Sequence, residues 1–244
     1  MDYLFLVIIG LLIIFFASIT KGLTAFGFSL IAVSSLMIIL PPKTVVPIVT
    51  VLSLLVDLVA LLEARKWVDL NKIWPLLVAG VIGTPLGTLA LMSIDVGTMK
   101  LLVGILIIMF AVPLLIGFKK RIKSERSALA PLGFISGILG GCTSMSGPPV
   151  VLFFTNQKTE KNIFRANLFV FFAVLNMATL LSFMFEGLLS TDVANYTMSF
   201  LPAMILGTIV GIKLPGKVNE SLFRKIALVI VIISGLTSIV SFFI

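Results

Sequence analysis

A chain of 244 residues that is 59% hydrophobic and only 11% charged, with a mean hydropathy of +1.24, lacks the polar surface to close around a water-soluble core and reads as an integral membrane protein. Its net charge of +8 lies in short loops between apolar runs, not on one face of an amphipathic helix or among aromatics, so nucleic acid is not expected as a partner. With Cys142 as the single cysteine and no histidine, an intramolecular disulfide and a His-based metal or catalytic site are excluded, and the chain reads as a non-enzyme without a cofactor.

Ten apolar segments follow one another: 3–20, 25–40, 44–62, 73–93, 98–118, 128–140, 147–155, 163–185, 195–212 and 225–243. Met1-Asp2-Tyr3-Leu4 has no basic n-region and the first run has no small-residue cleavage site, so that run is expected to be retained and not to be a signal peptide. Most segments are long enough to span, but 128–140 and 147–155 fall short of the roughly 20 residues a helix needs. Between these two, Gly140-Gly141-Cys142-Thr143-Ser144-Met145-Ser146-Gly147-Pro148-Pro149 is rich in the residue types that interrupt helices, which predicts a broken or re-entrant hairpin.

Loop charges give the orientation. Fifteen of the 18 basic residues fall in four groups, at Arg65 to Lys72, Lys119 to Arg126, Lys158 to Arg165 and Lys213 to Lys225, leaving only Lys21, Lys43 and Lys100 elsewhere. The positive-inside rule makes all four groups cytoplasmic, so 128–155 leaves and returns on that side, 3–40 does the same from outside, and both termini are external. The expected location is the cell inner (plasma) membrane, with the lipid bilayer as partner; a homo-oligomer is left open. Trp67, Trp74 and Tyr196, near segment ends, read as interface anchors.

The chain also repeats itself. At a spacing of 119, Phe15, Ile19, Gly22 and Thr24 align with Phe134, Ile138, Gly141 and Thr143, and at 124, Ala79, Gly83, Thr84 and Gly87 align with Ala203, Gly207, Thr208 and Gly211. Aligned loops fall on opposite sides of the membrane. The expected fold is therefore all-α, with two inverted-topology repeats, 1–122 and 123–244, each a broken hairpin plus three transmembrane helices in a single transport unit. Gly83-xxx-Gly87 and Gly207-xxx-Gly211 read as tight helix packing, a scaffold and not a site.

A helix broken inside a bilayer leaves backbone N–H groups unpaired at the start of the next half-helix, an end whose dipole suits an oxyanion. Hydroxyls at the two hinges can add neutral donors, or can satisfy local backbone in a kinked helix. The candidate substrate-binding residues for a small anion are Lys21, Gly22, Thr24, Gly27 and Ser29 at the first hinge, Gly141, Thr143, Ser144, Ser146 and Gly147 at the second, and Asn176. A lysine in the hydrocarbon costs about 2.5–3.5 kcal/mol on insertion scales, so Lys21 is expected to keep a partner or ligand, or to snorkel to the outer interface. Asp57 is the one carboxylate inside an apolar run and aligns with Asn176. It is the candidate proton carrier, with an ion pair to Lys21 as the structural alternative. Arg165 reads as a positive-inside anchor or an anion relay, and Cys142 as an apolar filler.

The paired Gly-x-Thr hinges, the Ser146-Gly147-Pro148-Pro149 break, and Phe164-Arg165-Ala166-Asn167 followed by Asn176 resemble the TauE/SafE-like sulfite exporter family over nearly the whole chain. The resemblance implies a secondary transporter of sulfur-containing anions such as sulfite or organosulfonates, with export favoured. The first half departs from the second, having Phe26-Gly27-Phe28-Ser29 where the other has Met145-Ser146-Gly147-Pro148. The rival readings are an anion channel lined by the same hairpins, a transporter of another small organic anion, and a membrane assembly component without cargo. The last is disfavoured because broken helices at membrane depth are costly unless they line a cavity.

Overall fold

The computed structural model describes residues 3–117, 125–157, 160–214 and 219–243. Within them the chain forms ten helices: α1 (Tyr3–Thr24), α2 (Phe28–Leu36), α3 (Pro42–Ala64), α4 (Leu70–Ser93), α5 (Val96–Ile116), α6 (Glu125–Thr143), α7 (Gly147–Asn156), α8 (Lys161–Phe185), α9 (Thr191–Lys213) and α10 (Glu220–Phe243), with a 3-10 turn at Arg65–Trp67. Every expected segment is a helix. The expected boundary at 122/123 falls outside the described residues, as do Lys119 to Ser124, Lys158 and Lys217.

The lengths of the hairpin arms differ from expectation. In each half the first arm is long and only the second is short: α2 has nine residues and α7 ten, whereas α6 has 19. The apolar run underestimates α6 because its first turn, Glu125-Arg126-Ser127, is polar yet helical. Six helices, α1, α3, α4, α5, α8 and α9, are each long and apolar enough to cross a membrane. Along α1, Leu4, Phe5, Ile8, Leu12 and Phe16 are all at least half exposed. A ridge of that kind is tolerable against lipid and not against water.

Glycine decides how the long helices meet. A Cβ at Gly83 would lie 2.4 Å from the Phe134 carbonyl oxygen and one at Gly87 2.1 Å from that of Ile138, while Gly207 and Gly211 stand in the same relation to Phe15 and Ile19, each at 2.5 Å. Backbones in such contact admit no side chain, as the small-xxx-small reading required. Gly10, Gly207 and Gly211 of the α1–α9 pair meet Phe200, Phe15 and Ile19 in rising order, so α1 and α9 run parallel. Gly133, Gly137 and Gly141 of α6 meet Leu76, Gly80 and Thr84 of α4 in the same way. By contrast α5 and α10 run antiparallel: Gly104 faces Ile239, Ile107 faces Gly235, and the Ser238 hydroxyl donates to the Lys100 carbonyl at 2.9 Å.

The two hinges share their first backbone devices at the spacing of 119 and then diverge, Gly27 having φ 95° where Ser146 has φ -67°. Ala25 (φ 67°) and Ser144 (φ 59°) are the two non-glycine residues with positive φ among the described residues. Their N–H groups still close the last helical turn, onto Lys21 at 2.7 Å and Gly140 at 2.8 Å. The next N–H, of Phe26 or Met145, turns instead to the hydroxyl of Thr24 or Thr143, at 3.4 and 3.3 Å, and each threonine donates to the carbonyl four residues back at 2.7 Å. The threonine thus replaces the helical acceptor that the turn removes.

Candidate functional site

The two hinges face each other across a narrow cleft. Its walls are the first turn of α2 with its lead-in (Phe26, Gly27, Phe28, Ser29, Leu30), the start of α7 with its lead-in (Ser144, Met145, Ser146, Gly147, Pro148), and Lys21, Ser53, Phe172 and Asn176 from α1, α3 and α8. The Ser29 and Ser144 hydroxyl oxygens are 3.5 Å apart, so the hairpins of the two halves touch there. About 20 Å³ is open to the centre of a water molecule, room for one or two waters and too little for a sulfonate.

The helix ends at the cleft are unequal. Neither α2 nor α7 has a side-chain cap at its start. The Ile31 N–H is the first of α2 to find a helical acceptor, the Gly27 carbonyl at 3.1 Å. The Phe28, Ser29 and Leu30 N–H groups precede it and have no acceptor within the helix. In α7 the residues after Gly147 are Pro148 and Pro149, which have no N–H. Donor capacity is concentrated on the α2 side.

Behind the cleft lies a buried polar cluster. Lys21, 3% exposed, forms a 2.7 Å ion pair with the fully buried Asp57. Its ammonium also donates to the Ser53 hydroxyl at 2.6 Å and the Ser53 carbonyl at 3.2 Å. The Asn176 amide donates to Asp57 Oδ2 at 3.0 Å and to Ser53 Oγ at 3.1 Å. Phe28 and Phe172 present their rings to the ammonium, with centroids 5.8 and 5.3 Å away. A cation flanked by two ring faces and paired with a carboxylate has its charge compensated within the protein.

Lys21, Gly27, Ser29, Ser144, Ser146, Gly147 and Asn176 line the cleft, and Asp57 touches it through Lys21. Gly22, Thr24, Gly141 and Thr143 do not line it. The two glycines are spent on helix crossings, a Cβ on Gly22 lying 2.8 Å from the Gly211 carbonyl carbon and one on Gly141 2.2 Å from the Thr84 carbonyl oxygen. The threonine hydroxyls serve the hinge backbone, and Thr24 borders a separate apolar cavity with Leu30, Ala227, Leu228 and Val231. Lys21 does not snorkel; burial and Asp57 hold it in the interior. Ser53, Phe28 and Phe172 were missed from sequence. For Ser53 a signal existed, since it lies one helical turn before Asp57 and shares its face.

Arg165 has a local cause for its position. The Gly22 carbonyl would accept from the Phe26 N–H in a continuous helix; the hinge diverts that donor to Thr24, and Arg165 Nη2 donates to Gly22 at 2.8 Å instead. Arg165 also lines a second cavity of about 220 Å³ with Ala60, Glu63, Ala64, Trp67, Asn162, Phe169 and Ile212. Asn167 accepts the Asp69 N–H at 2.9 Å. Cys142 is buried with its sulfur 3.9 Å from that of Met99, a packing role.

A lipid-matched helical bundle with broken helices meeting at a polar cleft defines a multi-pass membrane protein of the transporter type. Residues 10–238 match the family model for sulfite exporter TauE/SafE, so the chain belongs to that family, a family of transporters. Neither the curated proteins nor the solved structures contain a match to it.

Proposed function

We propose that this protein is a secondary transporter in the plasma membrane that moves a small sulfur-containing anion, sulfite or an organosulfonate, by alternating access, with export as the favoured direction. The observation that carries this reading is the cleft, where the N–H groups at the start of α2, the hydroxyls of Ser29, Ser144 and Ser146, and the Lys21 ammonium converge between two hinges that each turn at a left-handed residue, Ala25 and Ser144. Hydroxyl and N–H donors suit a tetrahedral or pyramidal oxyanion because each oxygen takes its own hydrogen bond. The cleft is too small for such an anion, so binding requires the hairpins to part; the cavity beside Arg165 is the vestibule on the side where the basic loops lie.

Two inverted repeats, 1–122 and 123–244, with both termini external, account for the packing. Helix α1 pairs with the fourth helix of the other half and α6 with the fourth helix of the first. Helices α5 and α10, which correspond, pack against each other in opposite directions. An exchange of this kind supports a two-fold axis that reverses chain direction, the arrangement that lets one half rock against the other. A channel with the same hairpins is the second reading, favoured by no feature beyond the cleft.

The test is flux into liposomes of purified protein, with sulfite, thiosulfate, sulfate, taurine, sulfoacetate and simple carboxylates. Saturable uptake of a sulfur anion and stimulated counterflow are expected. Non-saturating conductance without counterflow would make the protein a channel, and uptake of carboxylates alone would reassign the cargo.

A further inference from the structure

The Lys21 ammonium has three donors: two reach the Ser53 hydroxyl and carbonyl, and Asp57 Oδ1 lies 2.7 Å from the nitrogen as its ion-pair partner. An anion at the cleft must therefore compete with Asp57 for the ammonium. Charge gives a second reason. Lys21 and Asp57 together are neutral, so an anion bound beside them leaves the buried cluster with an uncompensated negative charge, the costly condition in a membrane interior. One proton on Asp57 removes both obstacles. It releases Lys21 from its pairing with the carboxylate and makes the cluster a net cation, and the Asn176 amide, by turning its oxygen toward Asp57, can accept the new hydroxyl.

We propose that Asp57 and the cargo compete for Lys21, so that one proton and one monoanion bind together and cross as a neutral pair. The inference rests on the transport reading above and deepens it by naming the charge form of the cargo and its co-substrate. Lys21 and Asp57 are the charged partners within the cluster. Other charged side chains of the surrounding helices sit at helix ends: Lys43 at the start of α3, Glu63 at its end, Arg65 just beyond it, and Lys161 and Arg165 in the first turns of α8. Of these, Lys43 reaches the Met92 carbonyl and Arg165 the Gly22 carbonyl. Among the described residues of these helices, none of those charges is ion-paired with Lys21 or Asp57. A dianion would leave the loaded site one negative charge in excess, so sulfonates and singly charged sulfur oxyanions are the class that fits. Coupling sets the condition for the favoured export: the outward gradient of the anion must exceed the inward pH gradient, since an acidic exterior by itself drives the anion inward.

Ethanesulfonate, fixed as a monoanion, and sulfate, a dianion at neutral pH, separate the possibilities in liposomes with the voltage clamped by potassium and valinomycin. Wild type should accumulate ethanesulfonate about tenfold for each unit of pH difference, unchanged by voltage, and should move sulfate at least tenfold more slowly. Asp57→Asn leaves Lys21 permanently available, so ethanesulfonate exchange should persist, while net uptake loses its pH drive and becomes voltage-dependent. The double variant Lys21→Met, Asp57→Asn removes the charges together and should fold without exchanging ethanesulfonate. Wild-type accumulation that follows voltage and ignores pH, preference for sulfate, or tenfold accumulation retained by Asp57→Asn would each overturn the proposal while leaving transport itself intact. A folded wild type that exchanges no sulfur anion at all would overturn the transport reading and this inference with it.

Discussion

Replacing Lys21 by Met should destabilise the fold more than replacing Lys21 and Asp57 together by Met and Asn. At 2.7 Å and an effective dielectric constant of about 20, the pair attracts by about 6 kcal/mol. Withdrawing each ion from water costs several kcal/mol, so the net contribution of the intact pair is small. Deleting one partner strands the other, at a cost of about 3–5 kcal/mol. Lys21→Met leaves the Asp57 carboxylate with Asn176 as its remaining donor, and Asp57→Asn leaves a buried ammonium on the two Ser53 oxygens. In the double variant the new amide meets Asn176 and no charge remains. For a chain of this size each kcal/mol shifts the melting point by about 2–4 °C. Each single variant should therefore lose about 6–20 °C, and the double variant should recover most of it. The measurement is the fraction of monodisperse protein left after heating in detergent, at one fixed heating rate because membrane proteins unfold irreversibly. Additive falls in melting temperature, with the double variant losing the sum of the two single losses, would refute the buried pair.

Further expectations follow from the hinges, the crossings and the topology. Ala25→Gly relieves a left-handed alanine that costs roughly 1–2 kcal/mol and should leave stability unchanged or raised by up to about 1 kcal/mol, whereas Ala173→Gly inside α8 should lower it by about 1 kcal/mol; thermal shifts compare them. Gly87→Val drives carbon into the Ile138 carbonyl and should cost about 1–3 kcal/mol or prevent folding, seen as loss of monodisperse protein. Ser144→Ala removes a hydroxyl at the cleft and should weaken anion binding roughly tenfold, while Thr143→Val, acting on hinge backbone, should change stability more than affinity. After replacement of Cys142, a cysteine at Ser190 should react with impermeant reagents from outside only, and one at Ser124 or Lys217 from the cytoplasmic side only; external labelling of both Ser124 and Ser190 would end the inverted topology.

The ten helices were legible because apolar runs of set length, separated by charged loops, have few other folds in a bilayer. Helix α6 shows the limit, since a helix can begin in polar sequence before its apolar run. The repeat located both hinges, but it could not say which way a hinge hydroxyl points. Thr24 and Thr143 can serve backbone or cleft with equal local plausibility, and only the path of the Phe26 and Met145 N–H groups decides it. The Lys21–Asp57 pair was visible as two isolated charges on different helices, while Ser53, Phe28 and Phe172 looked like ordinary members of apolar runs.

The same alignment separates scaffold from chemistry. Where the halves agree, at Gly22 and Gly141 or Thr24 and Thr143, the residues hold a helix crossing or a turn. Where they differ, at Lys21 and Gly140, Ser29 and Pro148, Ser53 and Phe172, or Asp57 and Asn176, one or both members reach the cleft or the cluster behind it. Two halves that must adopt the same bend need the same backbone devices, so those positions stay alike. A second lysine and carboxylate would bury a further pair of charges, with a further desolvation cost that their mutual attraction only offsets. The duplicate half therefore carries neutral groups at those positions: Asn176 bonds the very carboxylate it matches, and Phe172 stacks on the ammonium opposite the serine it matches. Departures from the repeat are thus the positions at which to look for specificity.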